Sequence, residues 1–116
     1  VVSDQIGSPT STHSIISLLL TILSKRTERG IYHWTDGASI SWYEFALAIQ
    51  REAVELGLLG KEISIKPLRT EEYPVPALRP AYSVLDRNKT LNEFEVKATD
   101  WQQELRLVIK RIADGA

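Results

Sequence analysis

The chain has 116 residues, of which 43% are hydrophobic and 25% charged, and its formal net charge is −1. No basic stripe indicates a nucleic-acid partner, and no polybasic run indicates anionic lipid. Cysteine is absent, which excludes disulfides and thiolate chemistry and suits a cytoplasmic location. The longest apolar run, residues 15–23, is too short to span a bilayer, so no membrane partner is expected.

The predicted elements begin with the end of a strand at residues 1–2 and a turn around Gly7-Ser8-Pro9. A helix follows over residues 12–25, and any of the hydroxyl residues 10–12 can serve as its N-cap. Weak alternation predicts a short strand at residues 31–34, and then a turn at Asp36-Gly37. The next helix begins after Ser41, whose spacing to Glu44 is that of a capping box. Its predicted apolar face consists of Trp42, Phe45, Ala46, Ile49, Ala53 and Leu56.

Beyond Gly57, which is the expected helix stop, alternation predicts a strand at residues 63–68. A short helix is predicted at residues 87–94, with Asp86 as a possible cap. A last helix begins at Thr99, which has capping-box spacing to Gln102. These elements predict an α/β, α+β-like fragment with three or four helices and a small mixed sheet of short strands. The buried stripe of the last helix is predicted to be Trp101, Leu105, Val108, Ile109 and Ile112.

Residues 71–83, here called the strap, contain three prolines within seven positions. Each proline fixes its own φ and biases the preceding residue toward extended backbone, and none can donate to a sheet ladder. The strap is therefore not a central strand. It is expected to hold Tyr73, Arg79, Tyr82 and Ser83 in fixed positions, either as part of a binding site or as a rigid structural connection.

The catalytic motifs searched for are absent from this sequence. It has no G-x-G-x-x-G run, no P-loop, no tyrosine followed four residues later by lysine, and no metal-ligand spacing around its two histidines. No catalytic, cofactor-binding or metal-binding residue is therefore predicted. The binding features that remain are residues 4–12, which could accept a phosphate or only cap a helix, and Arg79. That arginine could pair with a phosphate or carboxylate, or form a salt bridge with an acid such as Glu72.

Five segments in sequence resemble the C-terminal part of the dTDP-4-dehydrorhamnose reductases, a family of extended short-chain dehydrogenases/reductases. The order and approximate spacing match along nearly the whole chain. The segments are Asp4-Gln5-Ile6-Gly7-Ser8-Pro9-Thr10, Gly30-Ile31-Tyr32-His33, Ser41-Trp42-Tyr43-Glu44-Phe45-Ala46, Glu72-Tyr73-Pro74-x-Pro76-Ala77-x-Arg79-Pro80-x-x-Ser83-x-Leu85 and Asp100-Trp101.

The resemblance implies a parent enzyme that reduces dTDP-4-dehydro-L-rhamnose to dTDP-L-rhamnose with NADPH or NADH, for surface polysaccharides. It implies that residues 1–116 are a single substrate-binding domain, inactive alone, whose missing partner is the N-terminal Rossmann half with the Tyr-Lys pair. Some members join two subunits through magnesium held by acids on the first helix. His13 and Ser17 stand nearest those positions here, which argues against that metal and dimer. The implied substrate-cleft residues are Gln5, Gly7, Pro9, Thr10, Arg79, Pro80 and Ser83.

Two alternatives stay open at the level of sequence. One is a non-catalytic regulatory module on the same fold, which resembles the regulatory subunit of methionine adenosyltransferase. The other is a related reductase or epimerase acting on another sugar nucleotide, since the residues do not separate thymidine from uridine or NADH from NADPH. Self-association through an apolar face, giving a homo-oligomer, is also expected.

Overall fold

The computed structural model describes residues 1–25 and 29–115 of the chain. Within that part, four helices and a two-stranded sheet are joined by long irregular segments. This architecture confirms the expected α/β fragment with short strands. The elements are β1 (Ile6–Gly7), α1 (Thr12–Ser24), β2 (Ile40–Ser41), α2 (Trp42–Glu55), α3 (Asn88–Phe94) and α4 (Trp101–Ala113).

The sheet is small because β1 and β2 contribute two residues each. They pair antiparallel, with Ile6 opposite Ser41. Two isolated parallel bridges extend the pairing, from Ile6 to Tyr82 and from Val2 to Leu68. Antiparallel and parallel pairing therefore meet at Ile6, which agrees with the predicted mixed sheet.

None of the three predicted strands, at residues 1–2, 31–34 and 63–68, forms a regular strand. Residues 31–34 form no ladder among the described residues, because side chains of α3 take their carbonyl groups. Thr90 Oγ1, for example, donates to His33 O at 2.6 Å. Residues 63–68 pair with the start of the chain through a single bridge at Leu68. The alternating pattern predicted extended backbone in both places but did not reveal whether a partner strand was available.

α1 begins where predicted and ends at Ser24, one residue early. Its N-cap is Ser11, whose side chain accepts a hydrogen bond from Ser14 N at 2.9 Å. The buried residues of the helix are Ser14 and Leu18. Much of its apolar surface is therefore exposed. Four large aliphatic residues at i, i+3, i+4 and i+7 spacing form an uncovered row, here called the α1 stripe: Ile16, Leu19, Leu20 and Leu23.

α2 starts with the predicted capping box. Ser41 Oγ accepts from Glu44 N at 3.1 Å, and the Glu44 carboxylate accepts from Ser41 N at 2.7 Å. The helix is capped at its other end by Leu56, and Gly57 follows with a φ of 75°. Because left-handed backbone is accessible to glycine at little cost, the predicted stop at Gly57 is confirmed.

The hydrophobic core lies where α2 packs against α4. Its buried members are Ala48, Leu105 and Ile109, and partly buried residues surround them. Trp42, predicted on the apolar face of α2, is 56% exposed and is not among the residues that pack against this core. The residues packed around the core are Phe45, Ile49, Leu56 and Trp101.

The capping predicted for α4 is also wrong. Asp100 is the N-cap, and its carboxylate accepts from the backbone N–H groups of Gln102 and Gln103 at 3.0 Å. The Thr99 hydroxyl instead donates to Asp36 Oδ1 at 2.8 Å. An aspartate carboxylate competes well for an N-cap, and the buried Asp36 needs the threonine as a donor.

The predicted buried stripe of α4 is only partly correct. Leu105 and Ile109 are buried, whereas Val108 is 37% and Ile112 55% exposed. At the start of α3, the N-cap is Arg87 and not the predicted Asp86, because the helix begins one residue late; Asp86 Oδ1 still accepts from Asn88 N at 2.8 Å. None of the helices in the described part of the chain has the length and hydropathy needed to cross a membrane.

Buried polar contacts fix the segment that precedes β2. Asp36 is 1% exposed and accepts from Ser11 N at 2.6 Å as well as from Thr99. Arg87 Nη1 donates to Thr35 O at 2.7 Å and to Thr99 O at 3.1 Å. These contacts connect the first turns of α1 and α4 and therefore hold the backbone beside the β1–α1 connection.

Candidate functional site

Residues 7–10, here called the corner, connect β1 to the N-cap of α1. Ser8 Oγ donates to Ala38 O at 2.6 Å, and Thr10 Oγ1 donates to Ser8 O at 3.0 Å. The N-cap itself is Ser11, so capping does not explain the Thr10 hydroxyl. A hydroxyl that donates one hydrogen bond can still accept others through its lone pairs. The Ser8 and Thr10 hydroxyls can therefore fix the turn and also accept a hydrogen bond from a ligand.

The far end of the strap packs directly against the corner. Ile6 N donates to Ala81 O at 2.8 Å, and Ser83 N donates to Ile6 O at 2.9 Å. A Cβ added to Gly7 would lie 3.1 Å from Ser83 Oγ, so glycine permits this close approach. The structure thus brings together two segments that lie more than seventy residues apart in sequence.

A first cavity, here called the corner cavity, opens beside these residues and has a volume of about 290 Å³. No charged side chain lines it within the described residues. Its walls combine neutral hydroxyl and amide groups with aromatic rings. The lining residues include Gln5, Thr10, Trp34, Trp42, Phe45 and Ser83.

A second cavity, here called the strap cavity, has a volume of about 490 Å³. That volume falls within the usual range for small-molecule sites. Gln5 and Trp42 line both cavities, so the two compartments adjoin along these side chains. Within the described residues, Arg79 is the charged side chain that lines the strap cavity, and Gln5 is its neutral polar one. The remaining lining side chains are aliphatic or aromatic: Val1, Val2, Trp42, Leu68, Tyr73 and Val75.

The predicted cleft residues fall into three groups. Five of them line the corner cavity, Arg79 lines the strap cavity together with Gln5, and Pro80 lines neither. Their roles in binding stay predictions. The five residues at the corner cavity are Gln5, Gly7, Pro9, Thr10 and Ser83.

Sequence reasoning missed several residues of the two walls. The spacing predicts Trp42 on the apolar face of α2, yet its place directly after an N-cap is a signal that it lies at the helix end. Tyr73 is expected on the strap but is not among the implied cleft residues, and it is 58% exposed beside Arg79 in the strap cavity. Trp34 was assigned to a strand and instead lines the corner cavity.

The alternative salt bridge between Arg79 and Glu72 does not form. Glu72 Oε2 accepts from Arg69 N at 2.6 Å within a short 3₁₀ turn, Thr70–Glu72. Among residues 1–25 and 29–115, Arg79 makes no ion pair and remains exposed. Its guanidinium is therefore available to an anionic ligand at the strap cavity.

The base of the strap is fixed by a charged hydrogen-bond group. Asp4 accepts from Thr70 N at 3.0 Å and from Thr70 Oγ1 at 2.7 Å. The Thr70 backbone N–H, followed by its hydroxyl, holds the pKa of the Asp4 carboxyl below its ordinary value. Gln5 Nε2 donates to the same hydroxyl oxygen at 3.2 Å, which orients the Gln5 side chain between the two cavities.

His13 and Ser17, which stand nearest the magnesium positions of some family members, make contacts of another kind. His13 Nδ1 lies 3.2 Å from Glu104 Oε2, and Ser17 Oγ donates to His13 O at 3.0 Å. No group of three or more histidine, cysteine or acidic side chains that could hold a metal ion occurs in the described part of the chain.

The two adjoining cavities give the chain one concave face, formed by the corner and the strap. The chain belongs to the family described as the RmlD substrate binding domain, whose model matches residues 1–113. This membership confirms the resemblance recognised in the sequence.

Three relatives show the extent of the similarity. The dTDP-4-dehydrorhamnose reductase of Aggregatibacter actinomycetemcomitans is 40% identical over 111 residues, which cover 91% of this chain and 38% of that protein. The crystal structure of a dTDP-4-dehydrorhamnose reductase from Clostridium acetobutylicum matches with a TM-score of 0.80 and 34% identity, over 97% of this chain and 38% of that one. The reductase from Bacillus anthracis, solved in complex with NADP, matches with a TM-score of 0.78 and 27% identity, over 96% of this chain and 36% of that one. The chain thus spans a little over a third of the length of these relatives.

Proposed function

We propose that this chain forms one wall of the sugar-nucleotide cleft of a dTDP-4-dehydrorhamnose reductase. The complete enzyme would reduce dTDP-4-dehydro-L-rhamnose to dTDP-L-rhamnose with NADPH or NADH, for surface polysaccharide synthesis in the cytoplasm. The observation that carries this proposal is the pair of adjoining cavities at the corner and the strap. A neutral, hydroxyl-rich compartment beside one that contains the exposed Arg79 suits a ligand made of a sugar and a diphosphate.

The residues of this chain do not fit a dinucleotide coenzyme, because the sequence has no glycine-rich loop to receive a pyrophosphate. It also has no Tyr-x-x-x-Lys pair to protonate a carbonyl. We therefore assign coenzyme binding and proton donation to a further part of the polypeptide. The role left to this chain is to bind the sugar nucleotide, orient its keto group and exclude water from that side of the cleft.

The surface of the chain supports a covering partner of this kind. Its accessible area is 8450 Å², whereas compact monomers of its mass expose about 6,400 Å². Its radius of gyration is 16.6 Å, against about 13.4 Å for a compact domain of this length. The excess exceeds the roughly 800 Å² that one partner buries in a standard interface. The α1 stripe supplies an apolar part of it, and we propose that the coenzyme-binding part of the same polypeptide covers this stripe.

The test is a reductase assay on the product of the full open reading frame that encodes this chain. NADPH oxidation should depend on dTDP-4-dehydro-L-rhamnose. Arg79→Ala should raise KM by about 10- to 150-fold, because it removes a charged hydrogen-bond donor to phosphate. The matched control is Arg111→Ala, an exposed arginine of α4 that lines neither cavity.

Two other outcomes lead to different conclusions. Tight dTDP binding without any turnover would favour the non-catalytic regulatory module. Failure of the intact protein to bind dTDP, UDP or their sugars would refute the proposal that this chain forms a sugar-nucleotide cleft.

A further inference from the structure

The first end of the strap is held by a carboxylate that lies outside both cavities. Asp4 accepts hydrogen bonds from the backbone N–H and the hydroxyl of Thr70, the residue directly before the strap, and these two residues are here called the latch. We infer that Asp4 is a positioning residue of the cleft, which acts through Thr70 to hold the strap so that Arg79 stays at the strap cavity. This inference rests on the proposed function, because it concerns the same cleft wall.

The latch joins segments that lie 66 residues apart in sequence. Both carboxylate oxygens of Asp4 lie 3.0 Å from Thr70 N, and Oδ1 also accepts from Thr70 Oγ1 at 2.7 Å. Just before the latch, Ser3 N donates to Leu68 O at 2.9 Å. The 3₁₀ turn Thr70–Glu72 follows directly and begins the strap. The latch is therefore the last attachment of the chain before the strap leaves the first segment.

The middle of the strap depends on its two ends. Residues 74–80 are exposed, and they make no hydrogen bond to other parts of the described chain. At the far end, Ile6 N donates to Ala81 O and Ser83 N donates to Ile6 O. The three prolines restrict the backbone between these attachments, so a displacement of the first end is transmitted along the strap to Arg79.

A strap held at both ends lowers the cost of binding a ligand. If the latch opens, the first end samples more positions, and the ligand must then pay the entropy of ordering it again. Asp4 lines neither cavity, so it has no contact through which it could act on the reacting atoms. The effect expected from opening the latch is therefore a higher KM with little change in kcat.

The test is steady-state kinetics of the full open-reading-frame product with NADPH and dTDP-4-dehydro-L-rhamnose. Asp4→Ala and Thr70→Val should each raise KM by about 3- to 10-fold, the range expected for one or two hydrogen bonds, and leave kcat within about twofold. Thr70→Ser keeps the hydroxyl and should stay within about twofold of the parent protein in both constants. The matched control is Asp86→Ala, which removes an exposed carboxylate that accepts from Asn88 N at 2.8 Å and lines neither cavity; its KM should not change.

A double-mutant cycle separates positioning from general support of the fold. Because Asp4 acts through Arg79, Asp4→Ala should raise KM by less than about twofold in a protein that already carries Arg79→Ala. Trypsin gives a structural measurement, because Arg69–Thr70 is the trypsin-sensitive bond within residues 62–86, the bonds after Lys66 and Arg79 being followed by proline. Asp4→Ala should speed cleavage at Arg69–Thr70 by about fivefold or more without faster cleavage after Arg51, which lies inside α2.

The results separate this inference from the proposed function. If the parent protein turns over and both Asp4→Ala and Thr70→Val keep its KM, the positioning role is wrong and the proposed function stands. The same holds if Asp4→Ala raises KM equally with and without Arg79, or speeds cleavage after Arg51 as much as at Arg69–Thr70. If the parent protein neither binds nor reduces the sugar nucleotide, the proposed function fails, and this inference fails with it. Thr70→Val keeps the side-chain volume, so the cycle can be completed with that variant even if Asp4→Ala does not fold.

Discussion

Gly37 is the glycine at which an added methyl group would make the closest contact. Its φ is 72°, in the left-handed region that costs alanine about 1–2 kcal/mol. An added Cβ would also lie 2.2 Å from Arg87 Nη2. Arg87 must then move, and the charged hydrogen bonds to Thr35 O and Thr99 O that it gives up are worth about 1.5–3 kcal/mol. Gly37→Ala should therefore lower the free energy of unfolding by about 2.5–5 kcal/mol.

The chain contains two matched controls for this substitution. Gly57 has a φ of 75°, but a Cβ there would meet no atom within 4 Å, so Gly57→Ala should cost only the backbone strain of about 1–2 kcal/mol. Gly60 has neither feature, and Gly60→Ala should leave stability unchanged or raise it by up to about 1 kcal/mol. Urea unfolding followed by circular dichroism measures all three. A cost for Gly37→Ala no greater than that for Gly57→Ala would refute the proposed role of Arg87.

Three further changes test the fold. Ser41→Ala removes the α2 capping box and should lower the free energy of unfolding by about 1 kcal/mol; an unchanged thermal midpoint would contradict this. Phe94→Ala empties a site that is 1% exposed and should cost about 3–5 kcal/mol in urea unfolding, whereas a cost below 1 kcal/mol would show that the site collapses. The pKa of Asp4 is lower in the folded protein than its ordinary value. The ionised carboxylate therefore stabilises the fold above the ordinary carboxyl pKa, and this stabilisation is lost as the pH falls through the pKa of the folded protein. Asp4→Asn should therefore reduce stability at neutral pH and flatten the acid loss in a series of urea midpoints; parallel curves for the two proteins would argue against it.

Local signals predicted the parts of the fold that depend on neighbouring residues. The capping box at Ser41 and Glu44 and the glycine stop at Gly57 gave both ends of α2 correctly. The prolines of the strap excluded a central strand, and the structure has none there. These predictions succeed because hydrogen bonds between residues three or four apart, and the fixed φ of proline, depend little on distant contacts.

Long-range contacts account for the predictions that failed. The strand predicted at residues 31–34 has the right pattern, but Thr90 and Lys89 take its carbonyl groups from α3. Thr99 has capping-box spacing, but the buried carboxylate of Asp36 takes its hydroxyl. In the candidate site, the corner and the strap were each recognised, while the contact between Ile6 and Ser83 that joins them was not. Sequence spacing carries no information about such partners.

We propose that this chain forms one wall of a sugar-nucleotide cleft that another part of the polypeptide completes. The decisive experiment is a crystal structure of the full open-reading-frame product with dTDP-L-rhamnose. We expect the hexose beside the corner and Ser83, a phosphate oxygen within hydrogen-bond distance of the Arg79 guanidinium, and the α1 stripe covered by the remaining polypeptide. A sugar nucleotide bound elsewhere, with the corner and the strap both open to solvent, would contradict it.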